Sequence, residues 1–477
     1  ASPAPGAGVR PAPVTLAVLP FVQRSADSAD AYLAQGLTDA ISDALARDSA
    51  LRLASRLATA EYAERVTSPK EIGKNLGVEA LLDGSVQRQG NRIRVTVQLV
   101  DTKTGAALWS DSYDRQSADL LAVQADIAGA IVAAFQRQRG GGSTVAAGGR
   151  AGFRVAEAYD RYLQGRYAFG QRGAAMLREA IGHFSAAAAL DSSASAAWSG
   201  LADAYVLLPL YGGMAVDSAL DQALANADRA VRLDPASAEA LASRGVVHMH
   251  RWNWSTALAD LDRAVAADPR SATAHQWRGE LYLITARLAE AAQSFARAME
   301  LEARSPIHAA LYALALAAEG RYDSASTAAR QAVRLDPTLA APRLIQGAVL
   351  LYAGRTVPAI GALEAALALE PDNEQALGLL GYAYARLGDE GRAAAILARL
   401  GDGPARPNTY SAQAKVRMGL GEPDRALAAL ERAVDRHEPF FTSEPLLTPI
   451  FRDLAQDPRL GQIRKRLGLD GAAVPPR

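Results

Sequence analysis

The chain has 477 residues, more than an ordinary single core accommodates, so several domains or a repeat array are expected. Its 51 basic and 51 acidic residues give a formal net charge of zero, which excludes a general electrostatic attraction to nucleic acid or anionic membranes. Cysteine is absent, which excludes disulfides, thiolate metal sites and cysteine nucleophiles.

Residues 1–13 are rich in proline, alanine and glycine and are predicted to form an extended tether. The sequence has no run of about 18 apolar residues, so no transmembrane helix is predicted. Because the chain begins at Ala1 and not at methionine, we expect that a signal or membrane anchor preceded it. The expected location is extracytoplasmic, in the periplasm or cell envelope, with the membrane reached only through such an anchor. A cytoplasmic location stays open.

Residues 14–138 are predicted to form a small α/β sandwich with a mixed sheet, in the order β-α-β-α-β-β-β-α. The clearest helix start is Ser68-Pro69-Lys70-Glu71, where serine caps the helix, proline takes the first position and glutamate follows three after the cap. Gly90-Asn91 is the predicted turn of a hairpin. The predicted strands and helices are Thr15–Leu19, Tyr32–Arg47, Leu51–Ala54, Ser68–Gly77, Ala80–Gln89, Arg92–Asp101, Leu108–Tyr113 and Leu120–Phe135.

Several separated blocks of this region occur in an order that resembles the amino-terminal domain of TolB-like proteins. The resemblance covers about residues 14–135. The blocks are Leu16–Phe21, Gly36–Asp39, Gly84–Val86, Val100–Gly105 and Leu108–Ser110.

Residues 139–155 are rich in glycine and are predicted to form a flexible linker. The run Gly140-Gly141-Gly142-Ser143 lacks the lysine that follows the glycines of a phosphate-binding loop, and no strand leads into it. Phosphate binding is therefore not expected here.

Acidic residues recur at a fixed spacing in the second part of the chain. The first five are separated by steps of 34 residues (268−234 = 34, and likewise to 302, 336 and 370), and the last step is twice that (438−370 = 68). Five of the six are followed by proline. This period, with helical patterning, predicts an array of helix–turn–helix units, each covering the apolar face of the next. The six residues are Asp234, Asp268, Glu302, Asp336, Glu370 and Glu438.

One unit, residues 238–271, shows the residue types that this packing needs. The small residues Gly245 and Ala257 stand where its two helices would cross, and Pro269 ends the second helix because proline lacks an amide donor. Together with Ala264, these positions resemble the tetratricopeptide repeat family. The resemblance implies a solenoid of about eight units.

The predicted fold class is therefore an α+β multidomain chain, with a small N-terminal α/β sandwich domain that has a mixed sheet, followed by an all-α solenoid of tetratricopeptide repeats. The predicted segments are 1–13 for the tether, 14–138 for the TolB-like domain, 139–155 for the linker, 156–440 for the repeats and 441–477 for a C-terminal capping helix and tail.

The second unit contains an apolar insertion, Leu207–Gly213. If exposed, it is a candidate contact surface; otherwise it packs onto its own repeat. In the third unit, His248 and His250 are two positions apart on a helix and point about 200° apart, so they do not easily share a metal. The nearby Trp252 and Trp254 are predicted to pack at the turn between the two helices of that unit.

The family resemblance implies that the first helix of each unit lines a concave groove. The residues that it places there are mostly apolar and lack the basic and amide set of a carboxylate clamp, so an apolar helical or extended peptide is the expected ligand. The predicted groove residues are Met249, His250, Trp277, Glu280, Ile284, Leu314, Leu344, Leu351, Tyr352 and Tyr382.

The sequence shows no arrangement typical of a catalytic, cofactor or metal site, so a non-enzymatic scaffold with a protein or peptide partner is predicted. The tandem of the two domains is similar to the C-terminal half of bacterial signalling proteins of the serine/threonine kinase, adenylate cyclase or winged-helix regulator types. The leading interpretation is a sensory or interaction region of such a protein. The alternatives are a structural subunit that self-associates through the solenoid ends, and an enzyme with an unrecognised site.

Overall fold

A computed structural model describes residues 14–25, 30–46, 51–54, 67–90, 92–116, 153–171, 173–211, 214–302, 305–401, 407–442 and 448–470, together with residue 446 and isolated positions between 59 and 133. The chain divides into two compact units, Ala1–Arg150 and Ala151–Arg477, which are described separately. None of the helices in the described ranges is long and apolar enough to cross a membrane.

The first unit is built on a mixed sheet, as predicted, and the described residues form six strands of it. Strand β1 pairs in parallel with β3 and β4, whereas β4, β5 and β6 are antiparallel neighbours. The strand order is β3-β1-β4-β5-β6, and the short β2 pairs with β4. The strands and helices of this unit are β1 (Val14–Val18), β2 (Val22–Gln23), α1 (Ala31–Ala46), β3 (Leu51–Leu53), α2 (Pro69–Leu76), β4 (Ala80–Gln89), β5 (Arg92–Asp101) and β6 (Ala107–Gln116).

Local sequence explains these elements. Strand β5 alternates between buried residues such as Val95 and Val97 and exposed residues such as Arg94, so one face of the hairpin is solvated. Helix α2 begins at the predicted cap, where the Ser68 hydroxyl accepts from the backbone N–H of Glu71 at 3.3 Å. The two-residue strand β2 was not predicted, because it is too short to show a pattern.

Some predicted segments of this unit fall partly or wholly outside the described residues, among them the whole tether of residues 1–13. Of the predicted last helix, only some positions are described, and Val123, Ile127 and Ile131 among them are buried, with the spacing of one helical face. The predicted linker is described only from residue 153 onward.

The described residues of the second unit form eight helical hairpins, which are called repeats 1 to 8, with a helix A and a helix B in each. This is the predicted solenoid. The pairs are α3 (Ala156–Gln171) with α4 (Ala174–Leu190), α5 (Ser195–Leu207) with α6 (Val216–Leu233), α7 (Ala238–His250) with α8 (Trp254–Ala267), α9 (Ala272–Ile284) with α10 (Leu288–Leu301), α11 (Pro306–Ala318) with α12 (Tyr322–Leu335), α13 (Ala340–Tyr352) with α14 (Thr356–Leu369), α15 (Glu374–Arg386) with α16 (Glu390–Leu400), and α17 (Thr409–Gly419) with α18 (Pro423–Asp435). A last helix, α19, spans Pro458–Arg466.

Helices A and B of a repeat cross at a glycine in several repeats. A Cβ added at Gly245 would lie 2.8 Å from the Leu261 side chain, and one at Gly279 would lie 2.8 Å from the Phe295 ring. Leu261 and Phe295 are completely buried. The large helix B residue therefore fills the space that the missing side chain leaves, which explains why small and large residues alternate across this crossing.

The apolar insertion of repeat 2 continues α5 as a 3-10 turn, Leu208–Tyr211, that packs against α4, α5 and α6. Leu208 and Pro209 are buried, whereas Tyr211 is 45% exposed. Within its described residues, the insertion mainly packs onto repeats 1 and 2. It does not present an open apolar surface.

The crossing predicts opposite effects for the same substitution at two glycines. Gly279→Ala forces the Phe295 ring to move, so it is expected to destabilise the fold by about 1–3 kcal/mol. Gly361→Ala, on the exposed face of α14, meets nothing within 4 Å and is expected to stabilise it by about 0.5–1 kcal/mol. Urea unfolding followed by circular dichroism measures both. A shift of equal sign in the two variants would contradict the packing described here.

Candidate functional site

The ten predicted groove residues all lie on A helices of repeats 3 to 7, but the structure does not bring all of them together. Met249 and Ile284 are 0% and 3% exposed, and they lie in a core shared by repeats 2 to 4, against which Trp277 packs. Met249 and Ile284 pack between the repeats and offer almost no surface to a partner. The prediction that these two residues line the groove is therefore corrected. Leu314, Leu344, Leu351, Tyr352 and Tyr382 belong to or pack against a second, larger core.

The second core contains the residues that follow repeat 8. We call residues 437–469 the C-terminal segment. It contains 3-10 turns at Pro439–Thr442 and Arg452–Leu454 and then α19. Its apolar side chains, each at most 5% exposed, share one core with those of repeats 4 to 8. They are Phe440, Phe441, Leu446, Ile450, Phe451, Leu454, Leu460, Ile463, Leu467 and Leu469.

The C-terminal segment also reaches back to repeat 3. The Nε2 atom of His437 lies 2.8 Å from the carbonyl oxygen of His250, and because a carbonyl only accepts, this imidazole N–H donates. The indole N–H of Trp254 donates to the Leu467 carbonyl at 2.6 Å. These bonds join residues 187 and 213 positions apart. The Pro439–Thr442 turn contacts both α7 and α9, the A helices of repeats 3 and 4.

Trp252 is the central aromatic contact of this junction. Its ring lies 3.9 Å from the His437 ring, centroid to centroid, and meets the Phe441 ring edge-on at 5.8 Å. On the other side of the segment, the Lys415 ammonium lies 4.9 Å from the centroid of the Phe440 ring, within cation–π distance. Aromatic contacts on both flanks therefore hold the Phe440-Phe441 pair.

The backbone of Trp252 is unusual for its residue type. It has a φ of 60°, in the left-handed region, at the turn between helices A and B. The same turn position, 34 residues further on each time, is Ala286, Gly320, Gly354 and Gly388. A tryptophan there costs about 1–2 kcal/mol relative to glycine. The contacts of its ring with His437 and Phe441 offset this cost.

Helix α19 acts as the predicted cap of repeat 8. Arg459 and Arg466 pair with Asp424 and Asp435 of α18 at 2.7 and 2.6 Å. The side chains of both pairs are 43% to 83% exposed, so each pair contributes about 0–1 kcal/mol. The apolar contacts of the segment therefore contribute most of its stabilisation.

Sequence reasoning missed the return of this segment to repeat 3. Trp252 and Trp254 are predicted to pack at their own turn; Trp254 does pack against the core of its own repeat, and both rings in addition contact residues from 437 onward. The available signal was the bulky residue at a turn position that later repeats fill with glycine. The pattern of one repeat does not identify the distant partner of that residue.

The histidine pair of repeat 3 shows no sign of a metal site. The side chain of His250 is directed toward the segment, where its Nδ1 lies 3.5 Å from the Thr442 hydroxyl, and burial lowers its pKa to about 4, with a further lowering by His437. Burial also lowers the pKa of His248. Within the described ranges, no group of three or more histidine, aspartate or glutamate side chains is placed to hold a metal ion.

A polar chain crosses the A helices of repeats 4 and 5. Gln276 donates to the Glu280 carboxylate at 2.8 Å, and its amide oxygen lies 3.0 Å from Nε2 of His308. Burial raises the pKa of Glu280 to about 7 and lowers that of His308 to about 4. Glu280, predicted as a groove residue, is a half-buried acid that is held by the amide of Gln276.

A second buried acid lies where the C-terminal segment begins. Glu438 accepts from the backbone N–H groups of Tyr410 and Ser411 at 2.8 and 3.0 Å, in the first turn of α17. Burial still raises its pKa to about 7. This residue, found in the sequence as the last of the periodic acids, fixes the start of the segment to the N-terminus of a helix A.

Eight stacked helical hairpins with a filled concave side define a helical-repeat scaffold, and the comparisons agree with that class. Tetratricopeptide repeat models match residues 253–306, 346–407 and 411–444, and a further one matches 310–339. Residues 12–129 match the second domain of HilA/YgeH-like transcriptional regulators. The chain thus has tetratricopeptide repeats in its C-terminal part behind an N-terminal HilA-like domain. The predicted TolB-like resemblance is not confirmed.

Known proteins resemble parts of the chain. It is 35% identical over 170 residues to putative adenylate cyclase 3 of Rhizobium meliloti, a match that covers 36% of this chain and 29% of that protein. The chain therefore spans less than a third of the length of this curated relative. Among solved structures, yeast Tom70 matches with a TM-score of 0.41 and 15% identity, over 65% of this chain and 67% of that one. A tetratricopeptide repeat protein of Parabacteroides merdae matches with a TM-score of 0.38 and 15% identity, over 54% and 93%.

Glu280 predicts a pH dependence of stability. Its folded pKa of about 7 lies above the ordinary 4.5, so the folded chain holds this proton more tightly than the unfolded chain. The stability that results is fully present below pH 4.5 and is lost as the pH rises toward 7. Glu280→Gln removes this loss of stability. The free energy of unfolding of the variant is therefore expected to exceed that of the wild type by about 1–3 kcal/mol at pH 8 and to match it near pH 4.

Urea unfolding across this pH range measures the difference between variant and wild type. Glu390→Gln, at an exposed position in the first turn of α16, is the control and is expected to leave the pH profile unchanged. An equal gain for Glu280→Gln at every pH would show that the gain does not come from the buried charge.

Proposed function

We propose that the repeats are a protein-interaction scaffold whose concave side binds an apolar helical or extended segment of a partner protein. One observation carries the proposal: this side already holds an apolar peptide segment, the Phe440-Phe441 turn and the residues after it. Aromatic contacts flank that turn, as they flank the anchors of a peptide bound in a preformed groove.

The chemistry of the concave side supports an apolar ligand. Leu344 and Tyr382 are half-buried and pack against the core that contains the C-terminal segment. Burial raises the pKa of Tyr382, and the carboxylate of Asp453 in the segment raises it further, so the segment passes close to this ring. The charged residue predicted in the groove, Glu280, is half-buried and accepts a hydrogen bond from Gln276.

We further propose that the chain is a sensory or interaction region of a bacterial signalling protein. The repeat fold is generally non-catalytic, and the chain itself is proposed to bind and not to catalyse. The support comes from the printed descriptions of its relatives, a transcriptional regulator domain and a putative adenylate cyclase. An extracytoplasmic location stays part of the proposal and is compatible with the absence of cysteine.

A peptide display library panned against the full chain tests groove binding. Enriched peptides are expected to be apolar and aromatic, and to lose at least about tenfold in affinity with Leu344→Glu or Tyr382→Glu, because each variant buries a charge under the ligand. Leu351 is only 8% exposed, so a charge there would disturb the core and the position is unsuitable.

Val357→Glu provides the matched control. Val357 is 69% exposed on α14, a B helix, so the same new charge there is expected to leave peptide affinity unchanged. Equal losses in all three variants, or none in any, would count against the groove. Light scattering on the same samples tests the structural-subunit alternative, for which the mass would rise with concentration; a constant monomer mass is expected.

A further inference from the structure

We propose that the C-terminal segment is a built-in ligand of the concave side, and that a partner must compete with it through the same chemistry: two adjacent aromatic residues followed by a short amphipathic helix. The inference rests on the proposed function above and names the class of partner segment that the scaffold accepts.

We call the contacts of Trp252 and Trp254 with the segment the clasp, and they all lie at one turn of repeat 3. The Trp252 ring contacts His437 and Phe441 at the start of the segment. Two residues later, the indole N–H of Trp254 donates to the carbonyl of Leu467 at the end of the segment. The two points are 30 positions apart (467−437 = 30), and the described apolar residues between them share the core of repeats 4 to 8. A single turn therefore fixes both ends of the segment to repeat 3.

The clasp is specific to this turn. Trp252 has the left-handed backbone that Ala286, Gly320 and Gly354 have at the same position of later repeats, and its tilted ring contacts His437, which is itself left-handed with a φ of 52°. Gly468 lies beside the Trp254 ring, since a Cβ there would lie 3.5 Å from the indole nitrogen. Repeat 3 therefore keeps the turn geometry of the later repeats but places a large aromatic ring at the position where it contacts the segment.

Besides its buried apolar side chains, the segment is held by exposed ion pairs to α18, by a few hydrogen bonds and by one aromatic contact between Trp252 and His437. An external peptide with the same apolar groups can replace these contacts one for one. Because the segment is covalently attached, its effective concentration is on the order of millimolar, so it raises the apparent dissociation constant of any competitor.

The experiment weakens the contacts of the segment with the concave side and leaves the residues of the groove unchanged. A fluorescein-labelled synthetic peptide of residues 436–470 is titrated into the full-length chain, either wild type or Phe441→Ala, and anisotropy reports binding. We expect at least tenfold tighter binding to Phe441→Ala, because the attached segment competes less well. A peptide with Phe440→Ser and Phe441→Ser is expected to bind neither protein, and Val357→Ala is expected to behave as wild type.

Equal affinity of the peptide for wild type and Phe441→Ala, or binding to neither, would overturn the inference, provided that circular dichroism shows the variant folded. If Phe441→Ala is unfolded, the milder His437→Ala, which removes the stacking ring, replaces it in the same titration with the same criteria.

The peptides selected by display separate the two proposals. A selected peptide that binds the concave side with the same affinity in wild type and Phe441→Ala leaves the proposed function standing and overturns this inference. A selected peptide that is displaced by the 436–470 peptide supports both. If no selected peptide depends on Leu344 or Tyr382, the proposed function itself fails.

Trp252 gives an independent test on the unliganded chain. Trp252→Gly keeps the turn conformation and removes the ring, so amide hydrogen exchange over residues 448–469 is expected to become at least tenfold faster. Ala286→Gly is the matched control, because Ala286 occupies the same turn position with a φ of 59°. Unchanged protection in Trp252→Gly would show that the clasp does not hold the segment.

Discussion

The close crossing of helices A and B within each repeat is the constraint on which the second unit depends. Because a glycine such as Gly279 stands against a buried ring such as Phe295, the two helices approach closely and present one apolar face to the next hairpin. Each hairpin is stable only when this face is covered. The stack therefore needs a covering element after repeat 8, and α19 provides it with Leu460 and Ile463.

The same need for cover extends to the inner side of the solenoid. The A helices contribute apolar side chains to this side, and large apolar surfaces are seldom left open to water in an isolated protein. The C-terminal segment covers both surfaces. Helix α19 covers the last repeat, and Phe440 and Phe441 lie among the A helices on the inner side. Capping and groove occupancy are therefore parts of one continuous stretch of chain.

Much of this fold was predictable from sequence because its rules are local. The 34-residue period, the glycine at Gly245 and the cap at Ser68 each report on neighbours within one or two elements, and the structure has them as predicted. The groove residues were harder to predict, since the family pattern assigns whole helices to the inner side of the solenoid. It does not separate Met249, which packs between repeats, from Leu344, which is half-buried against the core that contains the segment. The bond from Trp254 to Leu467 spans 213 positions and has no local pattern at all.

The span of that bond has a consequence for how the unit assembles. A repeat array ordinarily gains stability one neighbour at a time, so its ends can fray without disturbing the middle. Joining repeat 3 to residues beyond repeat 8 closes a loop of about two hundred residues, whose entropic cost grows only slowly with its length. Once this loop is closed, neither end of the stretch from repeat 3 to repeat 8 can fray by itself. The array then behaves less as a chain of separate units and more as one cooperative body, reached by a late, non-local folding step.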